Sequence, residues 1–140
     1  MKKILITLLL ILCVLAVVGC GQKSAEASYT DGTYTAKSDS QDERGGYGEV
    51  EIIVDGGKIS QVDFKTYNKD GSVKDETYGQ GLPEGQYKIA QSSIAANAEY
   101  AKQLVEYQQL IDVDAVSGAT WNYQLFQDAV EKALKQAQAK

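Results

Sequence analysis

A β-hairpin in the middle of the chain restricts its fold more than any other sequence feature. Val50, Ile52 and Val54 share one face of a predicted strand, with Glu49 and Glu51 on the other face. Asp55-Gly56-Gly57 follows at once, and its glycines supply the positive φ angles of a tight turn. Because a hairpin with one apolar face is marginal alone, other elements of the chain must cover that face.

The return strand is predicted from about Lys58 to Tyr67. Val62 and Phe64 lie on its apolar face, whereas Ile59 is out of phase with them. We therefore expect a β-bulge close to the turn.

Shorter signals surround the hairpin. A short strand is predicted around 33–35, a flexible loop over 45–48, and a longer loop over 72–85. Pro83 lies at the end of that longer loop, immediately before a helical pattern.

Two amphipathic helices are predicted after the loops. The first runs from about Glu84 to Leu110 and the second follows Trp121. Their apolar stripes comprise Tyr87, Ala90, Ile94, Ala98, Ala101 and Val105 in the first, and Phe126, Ala129, Val130, Ala133, Leu134 and Ala137 in the second. The fold class is therefore α+β, a small antiparallel sheet with a central hairpin and two C-terminal helices packed on it.

The first 19 residues are typical of a secretory signal peptide. Two lysines precede an apolar run from Ile4 to Val18, which is short for a membrane-spanning helix, and Cys20 stands where polar sequence begins. This ending resembles the bacterial lipobox, which implies lipidation of Cys20 and cleavage just before it. The alternatives are an ordinary signal peptide with an incidental cysteine, or an uncleaved anchor.

The predicted organisation has three parts: a signal peptide (1–19), a lipidated tether (20–28) and one folded domain (29–140). The tether is short, so the domain is expected close to the outer face of the cytoplasmic membrane. Removing Lys2 and Lys3 from the 14 basic residues leaves 12 against 19 acidic ones, a net charge of −7. An acidic surface argues against nucleic-acid binding, and attachment to the membrane is assigned to the lipid.

The composition also restricts the possible chemistry. The chain contains no histidine, and of its two cysteines Cys13 would leave with the signal peptide and Cys20 would carry lipid. Histidine-based catalysis, thiolate metal sites and disulfides are therefore not expected, and no metal site is predicted. Any redox chemistry must come from a bound organic cofactor.

The segment between the helices contains the candidate site. Ser117 and Thr120 precede the second helix, as N-cap residues do, and Gly118 and Ala119 leave the backbone accessible. A helix start also offers unpaired N–H groups to a phosphate, and Trp121 supplies a flat apolar surface. The alternative is an ordinary capped loop with Trp121 in the core.

This segment resembles a known motif. Residues 114–120 read DAVSGAT, similar to the D-x-x-S-G-A-T flavinylation signature of FMN-binding domains, a family that includes flavin-carrying lipoproteins of Gram-positive bacteria. Segments 31–34, 47–50 and 55–59 resemble the family's opening strand and hairpin. Segments 67–74 and 101–105 resemble its extracellular electron-transfer and peptide-pheromone lipoprotein branch.

The resemblance implies that FMN is bound to Thr120 through a phosphoester. A separate flavin transferase makes this bond, with FAD as the donor. Asp114, Ser117, Gly118 and Ala119 would then form the recognised sequence and the surroundings of the phosphate. Stacking of Trp121 on the isoalloxazine is our own hypothesis.

The resulting functional prediction is an electron carrier rather than an enzyme with its own substrate. A membrane quinone pool or dehydrogenase would donate electrons, and a soluble acceptor, ferric iron or another flavoprotein would receive them. Two alternatives remain at this stage. The chain is a pheromone precursor, with the peptide cut from within 8–19, or it is a surface binding module without a cofactor.

Overall fold

The structure, a computed structural model, describes residues 28–138. The predictions for the signal peptide, for lipidation of Cys20 and for the pheromone segment lie outside the described residues, as does most of the tether. Within residues 28–138, no helix is both long enough and apolar enough to cross a membrane.

Three antiparallel strands form a single sheet in the order β1-β2-β3. They are β1 (Gly32–Lys37), β2 (Tyr47–Asp55) and β3 (Lys58–Tyr67). Gly56 and Gly57 connect β2 to β3 with φ angles of 61° and 76°, as a two-residue type I′ turn requires. The predicted hairpin and both ends of its return strand are confirmed.

The predicted bulge is also present. Ile53 pairs with Gln61 but the next residue, Val54, pairs with Ile59, so Ser60 is the additional residue on β3. This shift rotates Ile59 into the core, where it is 2% exposed although it is out of phase with Phe64.

The loop predicted over 45–48 is two residues too long, because β2 already begins at Tyr47. Gly48 belongs to the strand for a packing reason. A Cβ at this position would lie 2.7 Å from the Phe64 ring and 3.1 Å from Leu125, so only glycine allows the sheet and a helix to approach this closely.

The first helix, α1 (Glu84–Tyr107), begins directly after Pro83, as predicted, but ends three residues before the predicted end. Gln108 adopts a left-handed conformation, with φ 65°, and its side-chain amide bonds both the N–H and the C=O of Ile59, at 2.8 and 2.9 Å. The helix therefore ends because Gln108 bridges to β3. A short 3-10 helix (Leu110–Asp112) follows.

The predicted apolar stripe of α1 was wrong in part. Ala101 is buried and Ala98 is exposed, and the other four members, Tyr87, Ala90, Ile94 and Val105, are half-buried. The buried face instead contains Ala96, Asn97, Tyr100, Ala101 and Leu104. Asn97 and Tyr100 place polar atoms inside the protein, and a pattern that counts aliphatic side chains does not predict such a face.

The second helix, α2 (Thr120–Gln138), confirms its predicted stripe. Every predicted member is buried, together with Leu125. Phe126 packs edge-to-face on Phe64, with ring centroids 5.1 Å apart. Both helices thus cover the same face of the sheet, and the predicted α+β class is confirmed.

Candidate functional site

The segment before α2 forms a tight turn. The Ala119 N–H donates to the Val116 carbonyl at 3.1 Å, and Gly118 has a φ of 82°, as the third residue of a type II turn requires. A Cβ at Gly118 would meet nothing within 4 Å. The conformation of the turn, rather than close approach of another group, therefore explains this glycine.

Thr120 is the first residue of α2 rather than its N-cap, which corrects the prediction from sequence. The Tyr123 N–H donates to the Ala119 carbonyl at 3.0 Å, so Ala119 is the residue that precedes the helix. The backbone N–H groups of the first turn, from Thr120 to Asn122, come before this first intrahelical bond.

A buried tyrosine fixes the turn. The Tyr100 hydroxyl accepts a hydrogen bond from the Val116 N–H and donates to the Ala119 carbonyl, each at 3.2 Å. Tyr100 is fully buried, and burial raises the pKa of its hydroxyl, which keeps its proton available for donation. One side chain of α1 thus holds both ends of the turn.

Two further side chains hold the segment upstream of the turn. The Tyr123 hydroxyl donates to the Val113 carbonyl at 2.7 Å, and the Gln103 side-chain carbonyl accepts from the Asp114 N–H at 2.7 Å. Sequence reasoning missed Tyr100, Tyr123 and Gln103. These three residues lie on helices. Which helical positions face the loop depends on how the helices pack, and the sequence alone does not give that.

A chain of buried amides fixes the start of α2. The Asn122 side-chain N–H group donates to the Ser93 carbonyl at 2.7 Å and to the Asn97 side-chain oxygen at 2.9 Å. Asn97 in turn donates to the Thr66 hydroxyl at 3.1 Å. The helix carrying Thr120 is therefore tied to α1 and, through Asn97, to β3.

The predicted site residues separate into two groups. Gly118, Ala119, Thr120 and Trp121 line one cleft, whereas Asp114 and Ser117 are exposed outside its lining. Ala119 is buried, whereas Thr120 is an exposed residue of the cleft lining. Trp121 is 43% exposed, and the alternative that placed it in the core is wrong.

The cleft has a volume of about 460 Å³, which lies within the range of small-molecule sites. Three other parts of the chain complete its walls. They are the loop before β2, with Asp42, Glu43 and Arg44; the loop before α1, with Lys74, Tyr78 and Leu82; and one face of α1, with Gln86, Ile89, Ala90 and Ser93.

The chain resembles one protein family and two proteins of known structure. The sequence model of the FMN-binding domain family matches residues 44–135, which include β2, β3, α1, the turn and most of α2. The chain is similar to a Clostridium perfringens protein of known crystal structure, with 27% identity, 79% of this chain and 90% of that chain covered, and a TM-score of 0.65. It is also similar to a Clostridium thermocellum protein with a solution NMR structure, with 33% identity, coverage of 76% and 91%, and a TM-score of 0.44. No curated protein matches the chain.

Proposed function

We propose, because this chain belongs to the FMN-binding domain family, that it is an electron carrier with FMN attached covalently to the Thr120 hydroxyl. FMN is the cofactor of the family, so this chain is a flavoprotein. The observation that carries the proposal is the position of Thr120, an exposed residue at the start of α2 on the wall of a cleft of ligand size.

The cleft fits a phosphorylated ligand. The first-turn N–H groups of α2 and the positive end of its dipole favour an anion beside Thr120. Arg44 lines the same cleft and brings a guanidinium, the side chain best suited to phosphate. These residues would hold the phosphate group.

The cleft also offers surfaces to a flat ring. Ile89 is 63% exposed and Trp121 is 43% exposed, and both line the cleft. Large apolar side chains left this accessible are suited to bind a ligand. We assign them to the isoalloxazine, with Trp121 as the stacking surface.

Attachment requires a separate enzyme. A threonine hydroxyl is a weak nucleophile, and the sequence supplies no histidine to activate it. A flavin transferase would activate Thr120, whose oxygen forms a bond to the FMN phosphorus of FAD as the pyrophosphate bond breaks and AMP leaves with the proton. The bound flavin supplies the one- and two-electron redox chemistry that the side chains of this protein lack.

The location of the site supports transfer away from a membrane. Thr30, which follows the tether, donates its N–H to the carbonyl of Ala137 at the end of α2, whereas Thr120 is the first residue of that helix. The two ends are about 26 Å apart at roughly 1.5 Å per residue. We propose that lipidated Cys20 anchors the domain outside the cytoplasmic membrane. A membrane dehydrogenase or quinone would supply electrons, and soluble or ferric acceptors would approach the distal end.

The attachment is tested by co-expression with a flavin transferase, followed by intact-mass measurement and in-gel flavin fluorescence. Wild type is expected to gain one FMN unit, and Thr120→Ala is expected to gain none. Ser117→Ala is the matched control, because Ser117 is a neighbouring hydroxyl outside both the ester and the cleft lining, and this variant should retain at least some covalent flavin. An unchanged mass gain in Thr120→Ala would overturn the assignment.

The anchor is tested at Cys20. Cys20→Ala is expected to abolish lipidation, so the protein is released or accumulates as the uncleaved precursor. Membrane fractionation with detergent extraction distinguishes these outcomes from the wild-type pattern. A processed, detergent-extractable Cys20→Ala protein would contradict the lipoprotein assignment.

A further inference from the structure

A buried ion pair lies in the wall of the cleft that contains Thr120. The Lys74 ammonium contacts the Asp42 carboxylate, and their side chains are only 4% and 11% exposed. Both residues line the cleft. The pairs Lys88–Glu84 and Lys37–Glu49, by contrast, are exposed on the surface.

The surrounding structure holds both charges in fixed positions. Asp42 also accepts hydrogen bonds from the backbone N–H groups of Arg44 and Gly46, at 2.9 and 2.8 Å. The Lys74 ammonium lies 5.0 Å from the centroid of the Tyr78 ring, in a cation–π arrangement. A Cβ at Gly46 would lie 2.6 Å from the Asp42 carboxylate and 2.7 Å from the Lys74 ammonium, so glycine is needed for the pair to pack here.

Asp42 stays ionised in this position. Burial alone would raise the pKa of its carboxyl, but the hydrogen bonds from Lys74 and from the two backbone N–H groups outweigh burial and lower the pKa. The ion pair therefore contributes one positive and one negative charge to the wall near neutral pH, beside Glu43 and Arg44.

Stability alone does not explain such a pair. Removing two charges from water is costly, and apolar residues of similar volume often stabilise a protein equally well. Charges fixed beside a cleft act strongly on any ligand whose own charge changes there, because little water screens them. A flavin is such a ligand, since taking up two electrons and one proton changes the charge of its ring by −1.

We propose that Lys74 raises the reduction potential of the flavin in this cleft and that Asp42, which holds Lys74 in place, lowers it; the inference rests on the proposed function. The ammonium favours the reduced, more negative ring, and the carboxylate opposes it. In the intact pair, each charge offsets most of the effect of the other. Removing either charge therefore changes the potential, and the two changes have opposite signs.

The test compares flavinylated Lys74→Met, Asp42→Asn and the double variant with wild type, by potentiometric titration with redox dyes at about pH 8. This pH is well above the ordinary carboxyl range. Lys74→Met is expected to lower the potential, and Asp42→Asn is expected to raise it. At a fixed ambient potential, each shift should change the ratio of reduced to oxidised flavin by about tenfold. The double variant, which has lost both charges, should return close to wild type.

Opposite shifts separate this proposal from general damage to the fold, which would move both single variants in the same direction. Lys88→Met is the matched control, because it removes a lysine from an exposed ion pair outside the cleft lining, and it should leave the potential unchanged. Thermal melts identify any single variant that does not fold. The double variant leaves neither charge of the pair without its partner, and it can then be compared with the single variant that does fold. Shifts of the same sign, or none, in folded single variants would overturn the proposal.

Intact mass, measured on the same samples, tests the attachment separately. If wild type carries the ester but the potentials do not move, the role of Lys74 fails and the proposed function stands. If no ester forms, the Thr120 assignment fails, and the variants are titrated with non-covalently bound FMN. Opposite shifts would then still support the role of Lys74, and their absence would overturn it.

Discussion

The two walls of the cleft are held in place in different ways. The turn wall, residues 116–122, is fixed by side chains from the helices, with Tyr100 and Asn97 buried beneath it. The loop wall, formed by 42–44 and 74–82, contains more short-range bonds. An example is the Asp75 carboxylate, which accepts hydrogen bonds from the N–H and the hydroxyl of Thr77. The Gln91 side chain of α1 also donates to the Tyr78 carbonyl at 2.7 Å, and the Lys74–Asp42 pair links the two loops of this wall.

This difference matches the tasks that we propose for the walls. A hydroxyl that a second enzyme must modify has to be presented in one conformation, and buried long-range bonds provide this order. Exposed local turns open more easily than buried networks, so the parts of the loop wall outside the Lys74–Asp42 pair are better suited to adjust to a bound ligand. Mutations at the two walls should therefore differ in size and in what they affect.

The largest effect is expected at Tyr100. Tyr100→Phe leaves the Val116 N–H and the Ala119 carbonyl without their common partner and should lower the free energy of unfolding by about 2 kcal/mol. Flavinylation by the transferase should also slow, because the turn that presents Thr120 loses its fixed conformation. Urea denaturation and the rate of mass gain measure the two effects.

Tyr107→Phe is the matched control for Tyr100→Phe. Tyr107 is the last residue of the same helix and is exposed, so loss of its hydroxyl should change stability by less than about 0.5 kcal/mol. Equal losses in the two variants would show that the turn does not depend on the Tyr100 hydroxyl.

These long-range partners are also what the sequence could not reveal. The hairpin, its bulge and the apolar stripe of α2 follow from periodicity and turn residues, and the structure confirms all three. The hydrogen-bond partners of Tyr100 lie 16 and 19 residues away along the chain, and Asp42 and Lys74 are 32 residues apart. No local pattern links such residues.

The error in α1 has the same origin. Ala98 and Ile94 fit an apolar stripe, but the helix is rotated so that Asn97 reaches Asn122 and Thr66. Hydrogen bonds between elements that are distant in sequence decided which face is buried. The motif around Thr120 was recognisable in advance, whereas the residues that order it were not.

A smaller effect is expected at Gly118, on the turn wall. Its φ of 82° is unfavourable for a residue with a Cβ, although space is available, so Gly118→Ala should destabilise the protein by about 1 kcal/mol. Gly85→Ala is the control, because Gly85 lies in α1 without positive φ and with open space around it. That change should stabilise the protein by about 0.5 kcal/mol. Chemical denaturation measures both, and a shared sign would refute the conformational explanation.

The smallest effect concerns the loop wall and appears only in acid. The folded-state pKa of Asp42 is lowered, so its ionised form contributes stability above the unfolded-state pKa of about 3.9. This contribution is lost as the pH falls through the lower, folded-state pKa, because the unfolded chain then binds the extra proton. Asp42→Asn lacks this group, so its free energy of unfolding should fall less steeply than that of wild type below about pH 4. The level of stability will also differ, since Lys74 loses its partner at every pH, and the slope is therefore the quantity to compare.

Asp75→Asn serves as the control: this carboxyl also has a lowered pKa, from its hydrogen bonds with Thr77, but it is exposed and its effect is screened by solvent. If the free energy of unfolding of Asp42→Asn and of wild type fell in parallel with pH, the partners of Asp42 would not lower its pKa. The Asp42 carboxylate could then not be the fixed negative charge that we propose for the cleft.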